Sequence, residues 1–230
     1  MLDFQGYGWV FWAGTKITLL VGLSAAPLVL ALGLLGAWGK LAGNPIARAV
    51  AGAYTTIVRG VPELVLILLV YYGITILLQN LLTLATGGEV LVDIDPFTAG
   101  TLTLGVIYGA FTTEVFRGAF QALDRGQIEA AYAAGMSRTL AFRRIMLPQV
   151  WRFAIPGLGN VWLVLIKATA LMSVVQLPEL MRMADIAARA VRLPFTFYFG
   201  ASVIYLLITV VSLLVLHRAE AWANRGIRRA

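Results

Sequence analysis

The sequence predicts an all-α integral membrane protein with five transmembrane helices, and three observations support this fold class. Sixty per cent of the 230 residues are hydrophobic and only 13% are charged, whereas soluble domains average about 45–50% and about 25%. Long uncharged stretches separate the charged residues, and several reach the roughly 20 residues that cross a bilayer. The polar residues are too few to form the aqueous surface of a soluble domain around so many apolar residues. We therefore interpret residues 1–230 as one transmembrane domain.

Each predicted span follows from one apolar stretch. The first, second, third and fifth spans contain the uncharged stretches Ile17–Gly39, Leu64–Gly88, Pro96–Thr113 and Leu193–Leu216. The fourth contains Phe153–Pro178, which Lys167 interrupts and which also carries proline and glycine. With flanking residues added, the predicted spans are about 10–39, 56–84, 96–116, 148–177 and 194–217.

The distribution of lysine and arginine predicts that the N-terminus is outside and the C-terminus inside. In that orientation the inner segments carry most of the 18 basic residues, whereas the outer segments carry only Lys16, Arg182, Arg189 and Arg192. Basic residues are enriched in short cytoplasmic loops. The outer loop Glu89–Asp95 has acidic residues and no basic ones, as this orientation requires.

Several classes of function lack their sequence signatures. The absence of cysteine excludes disulfides and thiolate metal sites, and the single histidine, His217, has no second ligand at metal spacing. The scattered basic residues do not predict a nucleic-acid partner. No phosphate-binding G-x-x-x-x-G-K-[ST] motif and no H-E-x-x-H or G-x-S-x-G motif occurs, so we predict no catalytic residues.

An intramembrane enzyme and a gated channel stay as alternatives. Co-purification of an ATPase would favour an importer, and conduction by the chain alone would favour a channel.

The inner loop at about 124–148 is the most informative segment. Strong helix formers from 127 to 142 are interrupted once, at Gly135, which predicts two short helices joined there by a sharp bend. We place Glu129 at the start of the first helix, where a carboxylate stabilises the positive end of the dipole. Pro148, which has no amide donor, suits the first turn of the fourth span.

This loop resembles the EAA motif of bacterial ABC importer permeases, which reads Glu-Ala-Ala, three residues, Gly, nine residues, Ile, one residue and Leu-Pro. The matching positions are Glu129, Ala130, Ala131, Gly135, Ile145, Leu147 and Pro148. Residues 59–63, 108–119, 167–171 and 218–220 are similar to segments of the polar amino acid permeases, so the resemblance covers essentially the whole chain. Within that family the pattern is most similar to the Q-type subunits of permeases for histidine, lysine, arginine and ornithine.

The resemblance implies the fold of a type I ABC importer permease and a multi-pass location in the bacterial inner membrane. It implies import of polar, basic amino acids by alternating access, with another polar amino acid or an opine as the alternative. It also implies a second permease subunit of the M type in a heterodimer, two cytoplasmic ATPases and a periplasmic binding protein. ATP and Mg²⁺ would bind to the ATPases, and no cofactor to this chain. The EAA residues would contact the ATPases.

Two charged residues in or near spans are candidates for the substrate path. Glu114 and Lys167 lie where a centrally placed charge costs about 2.5–3.5 kcal/mol to insert. Two interpretations are open: structural pairing, for example of Glu114 with Arg117, or a position along the path. Weaker polar candidates on the fourth span are Asn160, Thr169, Ser173 and Gln176.

The outer segment 178–193 predicts an amphipathic helix. Four charged residues share one face of it, namely Arg182, Asp185, Arg189 and Arg192. Asp185 and Arg189 have the spacing of a helical ion pair. The helix is predicted either to rest on lipid headgroups or to contact the binding protein. In the third span, the G-x-x-x-G formed by Gly105 and Gly109 predicts close helix packing.

Overall fold

The computed structural model describes residues 4, 6–92 and 94–225, and within these ranges the chain forms α-helices and no strand. The helices are α1 (Gly8–Leu41), α2 (Pro45–Gly60), α3 (Glu63–Thr86), α4 (Pro96–Gln121), α5 (Arg125–Ala133), α6 (Arg138–Ala141), α7 (Leu147–Ala168), α8 (Leu180–Val191) and α9 (Pro194–Ala223). A π-helical turn, Phe142–Met146, precedes α7, and a 3₁₀ segment, Thr169–Val175, follows it. The predicted all-α fold class is therefore confirmed.

Four helical segments of the described chain are long and apolar enough to cross a membrane. They are α1, α3, the segment Arg138–Val175 that contains α7, and α9. The remaining predicted span coincides with α4, whose 26 residues would extend about 39 Å at the helical rise. Other helices surround α4 and bury polar residues such as Thr103, Thr112 and Thr113, which explains its lower hydropathy.

The tightest helix contact joins α1 and α4, and we call it the α1–α4 seam. Each contact sets a glycine on one helix against a side chain on the other: Leu28 on Gly105, Leu32 on Gly109, Gly33 on Thr112 and Gly36 on Thr113. Residue numbers rise together along both helices, so α1 and α4 run in the same direction. A Cβ atom on any of these glycines would overlap with its neighbour, so the close packing predicted at Gly105 and Gly109 is confirmed.

Helix α7 packs between α4 and α9. Its contacts with α9 pair Gly159 with Leu216 and Trp162 with Ser212, and Thr169 at the start of the 3₁₀ segment approaches Tyr205. Numbers rise on α7 as they fall on α9, so the two helices are antiparallel. In contrast, α3 packs mainly on α4 and on the 3₁₀ segment, and most of its surface is exposed.

The second predicted span is divided in the structure. Residues 56–60 belong to α2, which ends at Gly60, and α3 begins only at Glu63. Pro62 between them has no amide hydrogen with which to continue the helical bonding. At its other end α2 begins at the Asn44 cap, whose side chain accepts a hydrogen bond from the Ile46 amide at 2.9 Å.

The predicted amphipathic helix is present as α8, but its apolar face does not rest on headgroups. That face is buried against α1 and α9 through Leu180, Ala184, Ala187 and Ala188. The Leu180 amide donates a hydrogen bond to Oγ1 of Thr18 in α1 at 3.1 Å. Hydrophobic periodicity predicts that one face of α8 is covered, but it does not distinguish a protein surface from a lipid surface.

Candidate coupling loop and transport path

The loop between α4 and α7 contains two short helices joined at Gly135, as predicted. Asp124 caps α5 by accepting a hydrogen bond from the Gly126 amide at 2.8 Å. Gly135 has a φ of +80° and no neighbour within 4 Å of the position a Cβ would occupy. Ser137 then caps α6 through a hydrogen bond from the Leu140 amide at 3.3 Å. The bend is therefore set by glycine's access to the left-handed region.

The EAA residues of α5 are mostly on the surface. Glu129, Ala130 and Gly135 are exposed, whereas Ala131 is buried. The placement of Glu129 at the start of a helix was wrong, because α5 begins four residues earlier, at Arg125. No basic side chain of the described residues lies within ion-pair distance of its carboxylate. The negative charge is therefore exposed on the surface of the loop.

The second half of the motif connects the loop to α7. Ile145 and Leu147 are half-buried at the end of the π-helical turn, and Pro148 lies in the first turn of α7, as predicted. Nε2 of Gln149 donates to Oε1 of Gln127 at 2.8 Å and to the Ile145 carbonyl at 3.0 Å. These bonds join α5 to the beginning of α7, so a displacement of the loop acts directly on that helix.

Glu114 is paired within the chain. Its carboxylate accepts hydrogen bonds from Nζ of Lys40 at 2.5 Å and from Nε of Arg117 at 2.7 Å. Lys40 also donates to Oγ1 of Thr55 at 2.6 Å. We call these four residues the Lys40–Glu114 cluster, and it joins α1, α2 and α4. The pairing with Arg117 is as predicted, whereas Lys40 and Thr55 were not identified from sequence.

A polar cavity of about 460 Å³ lies beside this cluster. Thr56, Arg59, Gly60 and Phe111 complete its wall, and the Arg59 guanidinium carbon lies 5.4 Å from the centre of the Phe111 ring. Arg59 belongs to the segment 59–63 that resembles polar amino acid permeases. Glu114 therefore both pairs with cations and lines a cavity.

On α7 the structure places two of the polar candidates together. Asn160 and Lys167 are both exposed, on a face that also carries Phe153, Pro156 and Val164 at intervals of three and four residues. We call this face the α7 stripe. Thr169 lies elsewhere, because it is buried and donates a hydrogen bond to the Ile166 carbonyl at 2.7 Å.

A smaller pocket beside α8 combines residues from the two predicted sets. Ser173 lines it together with Val174, Met181, Arg182 and Asp185, and its volume is about 290 Å³. A carboxylate and a guanidinium thus border one pocket of a size suited to a small molecule. We call it the α8 pocket.

Asp185 is held in this pocket by two donors. The Tyr198 hydroxyl donates to it at 2.7 Å and Nε of Arg189 at 3.0 Å, so the predicted Asp185–Arg189 pair is confirmed. The Tyr198 hydrogen bond, followed by the Arg189 interactions, lowers the pKa of Asp185 from its usual value. The carboxylate is therefore ionised at neutral pH.

The chain reverses near this pocket through left-handed residues. Gln176, a path candidate, has a φ of 63° and ends the 3₁₀ segment, and Arg192 has a φ of 56° and ends α8. Both side chains are exposed. Non-glycine residues in this region cost roughly 1–3 kcal/mol, so surrounding packing must hold both turns.

Sequence reasoning missed Glu179, a buried carboxylate at the start of α8. It accepts hydrogen bonds from the amides of Met181 and Arg182 at 2.8 and 2.7 Å and from the Tyr205 hydroxyl at 3.0 Å. Burial nevertheless raises the pKa of Glu179 to about 7. The only available signal was an acid directly after Pro178 and before a helix, and glutamate is not a favoured helix cap.

Comparison with known proteins places this geometry in a family. Residues 29–229 match the family described as binding-protein-dependent transport system inner membrane component. The chain belongs to this family. It is therefore a multi-pass inner membrane component of an ABC transporter, and the family predicted from the EAA motif is confirmed.

Individual relatives agree with this assignment. The chain is 45% identical to the histidine/lysine/arginine/ornithine transport system permease protein HisQ of Escherichia coli (strain K12), over 98% of both chains. It is 43% identical to the octopine transport system permease protein OccQ of Rhizobium radiobacter, over 98% of this chain and 94% of that protein.

Solved structures show the same fold. An amino acid ABC transporter with histidines gives a TM-score of 0.80 at 31% identity, covering 95% of this chain and 98% of that one. The inward-facing MetNI methionine ABC transporter gives 0.72 at 18% identity, which supports the fold alone. The chain has the type I ABC importer permease fold.

Proposed function

We propose that this chain is the transmembrane Q-type subunit of an importer for basic amino acids, and that it works with an M-type permease, two ATPases and a periplasmic binding protein. The observation that carries this proposal is the exposed, glycine-hinged coupling loop joined to α7, on a chain that resembles permeases for basic amino acids and opines. ATP hydrolysis is assigned to the partner subunits.

The proposed topology has five spans with the N-terminus outside. The parallel direction of α1 and α4, and the antiparallel direction of α7 and α9, suit alternating crossings in which α4 is the third. The coupling loop then lies inside and α8 outside. Thr86 and Ser137 are exposed and suit cysteine reporters. A membrane-impermeant thiol reagent added to intact cells should label Thr86→Cys and spare Ser137→Cys. The reverse pattern would overturn the orientation.

The coupling role makes Gly135 the most informative position. Aspartate tolerates the left-handed region better than most residues, and no atom lies within 4 Å of the new side chain's first carbon. Gly135→Asp should therefore leave the chain folded while adding charge and volume to the docking surface. We expect loss of uptake, with a docking cost of roughly 2–5 kcal/mol.

Gly43→Asp is the matched control for this experiment. Gly43 has a φ of +79° and equally empty surroundings, and it lies in the connection between α1 and α2, outside the EAA motif. ATPase co-purification and proteoliposome uptake of labelled arginine should fall for Gly135→Asp and persist for Gly43→Asp. Normal uptake and ATPase binding by Gly135→Asp would refute the coupling assignment.

For substrate recognition we propose the α8 pocket as the entry site. A zwitterionic amino acid needs opposite charges to replace its hydration. Arg182 can bind its carboxylate, and the ionised Asp185 can bind its ammonium or a cationic side chain. The α7 stripe, with Asn160 and Lys167, and the cavity beside Glu114 would follow along the path. Thr169, Ser173 and Gln176 would shape the turn beside the entry site.

Asp185→Asn tests the basic preference because it keeps the size of the side chain and removes its charge. We expect uptake of labelled arginine to fall by about tenfold or more, the loss of one charge-assisted bond, with a smaller loss for glutamine. The control is Asp95→Asn, the same change at an exposed carboxylate that caps α4 and does not line the pocket. Because asparagine caps helices as well as aspartate does, uptake of both amino acids should persist. Equal losses for both amino acids would contradict the assignment of Asp185.

The exposed candidates Arg189 and Arg192 are proposed to contact the binding protein. Both lie on or at the end of α8 beside the entry site, and neither side chain is buried. The exposed apolar surface of α3 is proposed to contact the M-type subunit, because this chain's own helices leave it largely uncovered.

A further inference from the structure

The α8 pocket has two walls that belong to different elements of the chain. One wall is the 3₁₀ segment, which contributes Ser173 and Val174, and the other is α8, which contributes Met181, Arg182 and Asp185. The contacts that hold these two elements in place therefore determine the width of the pocket.

The α8 wall is held from its buried side. The carboxylate of Glu179, which is 0% exposed, accepts hydrogen bonds from the amides of Met181 and Arg182. Thr18 in α1 accepts a hydrogen bond from the Leu180 amide. Amides of the first helical turn have no partner within their own helix, so these three bonds fix the beginning of α8. Because Met181 and Arg182 also line the pocket, Glu179 fixes the backbone of the pocket wall.

Tyr205 of α9 connects this carboxylate with the opposite wall. Its hydroxyl donates a hydrogen bond to Oε2 of Glu179 at 3.0 Å. The same hydroxyl lies 3.5 Å from Oγ1 of Thr169, the first residue of the 3₁₀ segment. None of these three residues lines the pocket. One hydroxyl group behind the pocket therefore contacts both of the elements that form its walls.

Burial distinguishes Glu179 from the other side chains that cap helices in the described part of the chain. Asn44, Asp95, Asp124 and Ser137 are all exposed, so each caps its helix while remaining in contact with solvent. A buried carboxylate costs free energy unless donors surround it. Capping alone does not require burial, whereas the hydrogen bond with α9 does.

A second tyrosine aligns α9 with the same helix. Tyr198 donates a hydrogen bond to Asp185 at 2.7 Å, and it lies about two helical turns before Tyr205. Residue numbers fall from Asp185 to Glu179 as they rise from Tyr198 to Tyr205, so α8 and α9 are antiparallel. The two tyrosine–carboxylate bonds therefore fix the register of α8 on α9.

We propose that Tyr205, acting through Glu179 and Thr169, is a positioning residue that sets the width of the α8 pocket and so selects among basic amino acids by the length of their side chains. This inference rests on the proposed entry site. Asp185 recognises the positive charge that arginine, lysine and ornithine share. The width of the pocket distinguishes between them, because their side chains differ in length.

Tyr205→Phe tests this role because it removes the hydroxyl and keeps the ring. The 3₁₀ wall should then move away from α8, and the wider pocket should favour the longer substrate. In proteoliposomes with the unchanged binding protein, the ratio of arginine to ornithine uptake should rise about threefold, a modest coupling for residues of one hydrogen-bond network. The fraction of active complex cancels in this ratio, so a purely structural defect would leave it unchanged.

The width of the pocket can also be measured without transport, from the distance between two nitroxide labels. Val174→Cys and Ile186→Cys place one label on each wall element, and these side chains are 50% and 49% exposed. The chain has no cysteine of its own, and the partner subunits are made without cysteine. In the assembled complex, pulsed electron paramagnetic resonance should give a broader distance distribution with a longer mean for Tyr205→Phe.

Tyr54→Phe is the matched control for both measurements. The Tyr54 hydroxyl donates a hydrogen bond to the Val106 carbonyl at 2.5 Å and so joins α2 to α4. Tyr54 does not line the α8 pocket. Its variant also loses one hydrogen bond between helices, but the uptake ratio and the distance distribution should keep their wild-type values.

An unchanged distance distribution or an unchanged arginine to ornithine ratio in Tyr205→Phe would overturn the inference. The proposed entry site has its own test, because Asp185→Asn should lower arginine and ornithine uptake equally and change the preference for arginine over glutamine. If Asp185→Asn behaves in this way and Tyr205→Phe does not behave as expected, only the role of Tyr205 fails. Equal losses of arginine and glutamine uptake in Asp185→Asn would instead overturn the entry site, and the role of Tyr205 with it.

Discussion

Helices α3 and α4 are neighbours with opposite environments. In the most apolar window of α3 only 11% of the residues are buried, and leucines such as Leu69, Leu77 and Leu81 are exposed. Helix α4 buries glycines, threonines and Tyr108 among other helices and is not one of the segments that hydropathy selects. The comparison teaches that the hydropathy of a helix depends on how much of its surface the chain's own helices leave uncovered. A helix enclosed by protein can contain polar groups and glycines because its neighbours are fixed.

The largest expected effect comes from breaking the α1–α4 seam. In Gly36→Leu the first added carbon already overlaps with the Thr113 side chain, so the helices must separate. Overpacking costs typically 1–3 kcal/mol, and we expect about 3 kcal/mol here because the β-branched Thr113 side chain is fully buried and has no space into which to move. The yield of monodisperse complex after purification should be lost.

Gly73→Leu in α3 is the counterpart, because no atom of this chain lies within 4 Å of its added carbon. The chain should insert and remain folded. If Gly36→Leu gave a normal yield and Gly73→Leu did not, the contrast between enclosed and uncovered helices would be wrong. Loss of only the second permease subunit from Gly73→Leu would support α3 as the subunit contact.

A smaller effect is expected from the Lys40–Glu114 cluster. Glu114→Gln leaves Lys40 and Arg117 facing each other without their shared counter-charge. Breaking a buried pair costs about 3–5 kcal/mol. Since the Lys40 and Glu114 side chains are 17% and 19% exposed, we expect about 2 kcal/mol, measured as loss of thermal stability in the purified complex.

Lys167→Met provides the comparison, because Lys167 is exposed on the α7 stripe. Its removal should preserve yield and stability, reduce uptake and shift preference between basic and neutral amino acids. Unchanged uptake would remove Lys167 from the path, and a stability loss equal to that of Glu114→Gln would make its role structural.

The last prediction concerns pH and the enclosed carboxylate of Glu179. Its folded pKa, about 7, lies above the ordinary value of 4.5, so the folded state holds its proton more tightly than the unfolded state. The stability of the folded state should therefore fall as pH rises from about 4.5 to 7. Above pH 7 the ionisation of Glu179 should cause no further change in stability. Thermal unfolding of the complex at several pH values measures this slope.

Glu179→Gln should flatten this pH dependence while retaining a side chain that accepts hydrogen bonds from the α8 amides. An undiminished slope would assign it to other groups. Helix α3 has no buried carboxylate among its described residues and should show no such behaviour.

The sequence predicted where the helices lie better than it predicted which helices pack against each other. Apolar stretches located the long helices, amphipathic spacing located α8, and Gly135 located the bend of the coupling loop. The break at Pro62 was missed because the predicted span was extended beyond the uncharged stretch, across Arg59 and Glu63, and Pro62 was not read as the end of a helix. Hydrophobic periodicity also predicted that one face of α8 is covered, but it did not identify α1 and α9 as the helices that cover it.

The candidate site was predicted where its contacts are local. The Asp185–Arg189 and Glu114–Arg117 pairs lie three or four residues apart, so helical geometry brings them together. Lys40 reaches Glu114 only through the packing of two helices 74 positions apart. Glu179 accepts a hydrogen bond from Tyr205 on α9, a contact that no local pattern encodes.

The Lys40–Glu114 pair also determines the order in which helix contacts can form while the chain is being synthesised. At 5–20 residues per second, the 74 positions between them correspond to about 4 to 15 s of translation. Throughout that interval α1 is in the translocation machinery or the bilayer, and the Lys40 ammonium lacks Glu114. Because the lysine side chain is long and lies near the end of the helix, it can keep its charge in the headgroup layer. The arrival of Glu114 then allows the lysine to move inward and the glycine surfaces to meet. A nascent chain stalled before Gly105 therefore cannot form the α1–α4 seam, and the glycine surface of its first helix is not yet covered by α4.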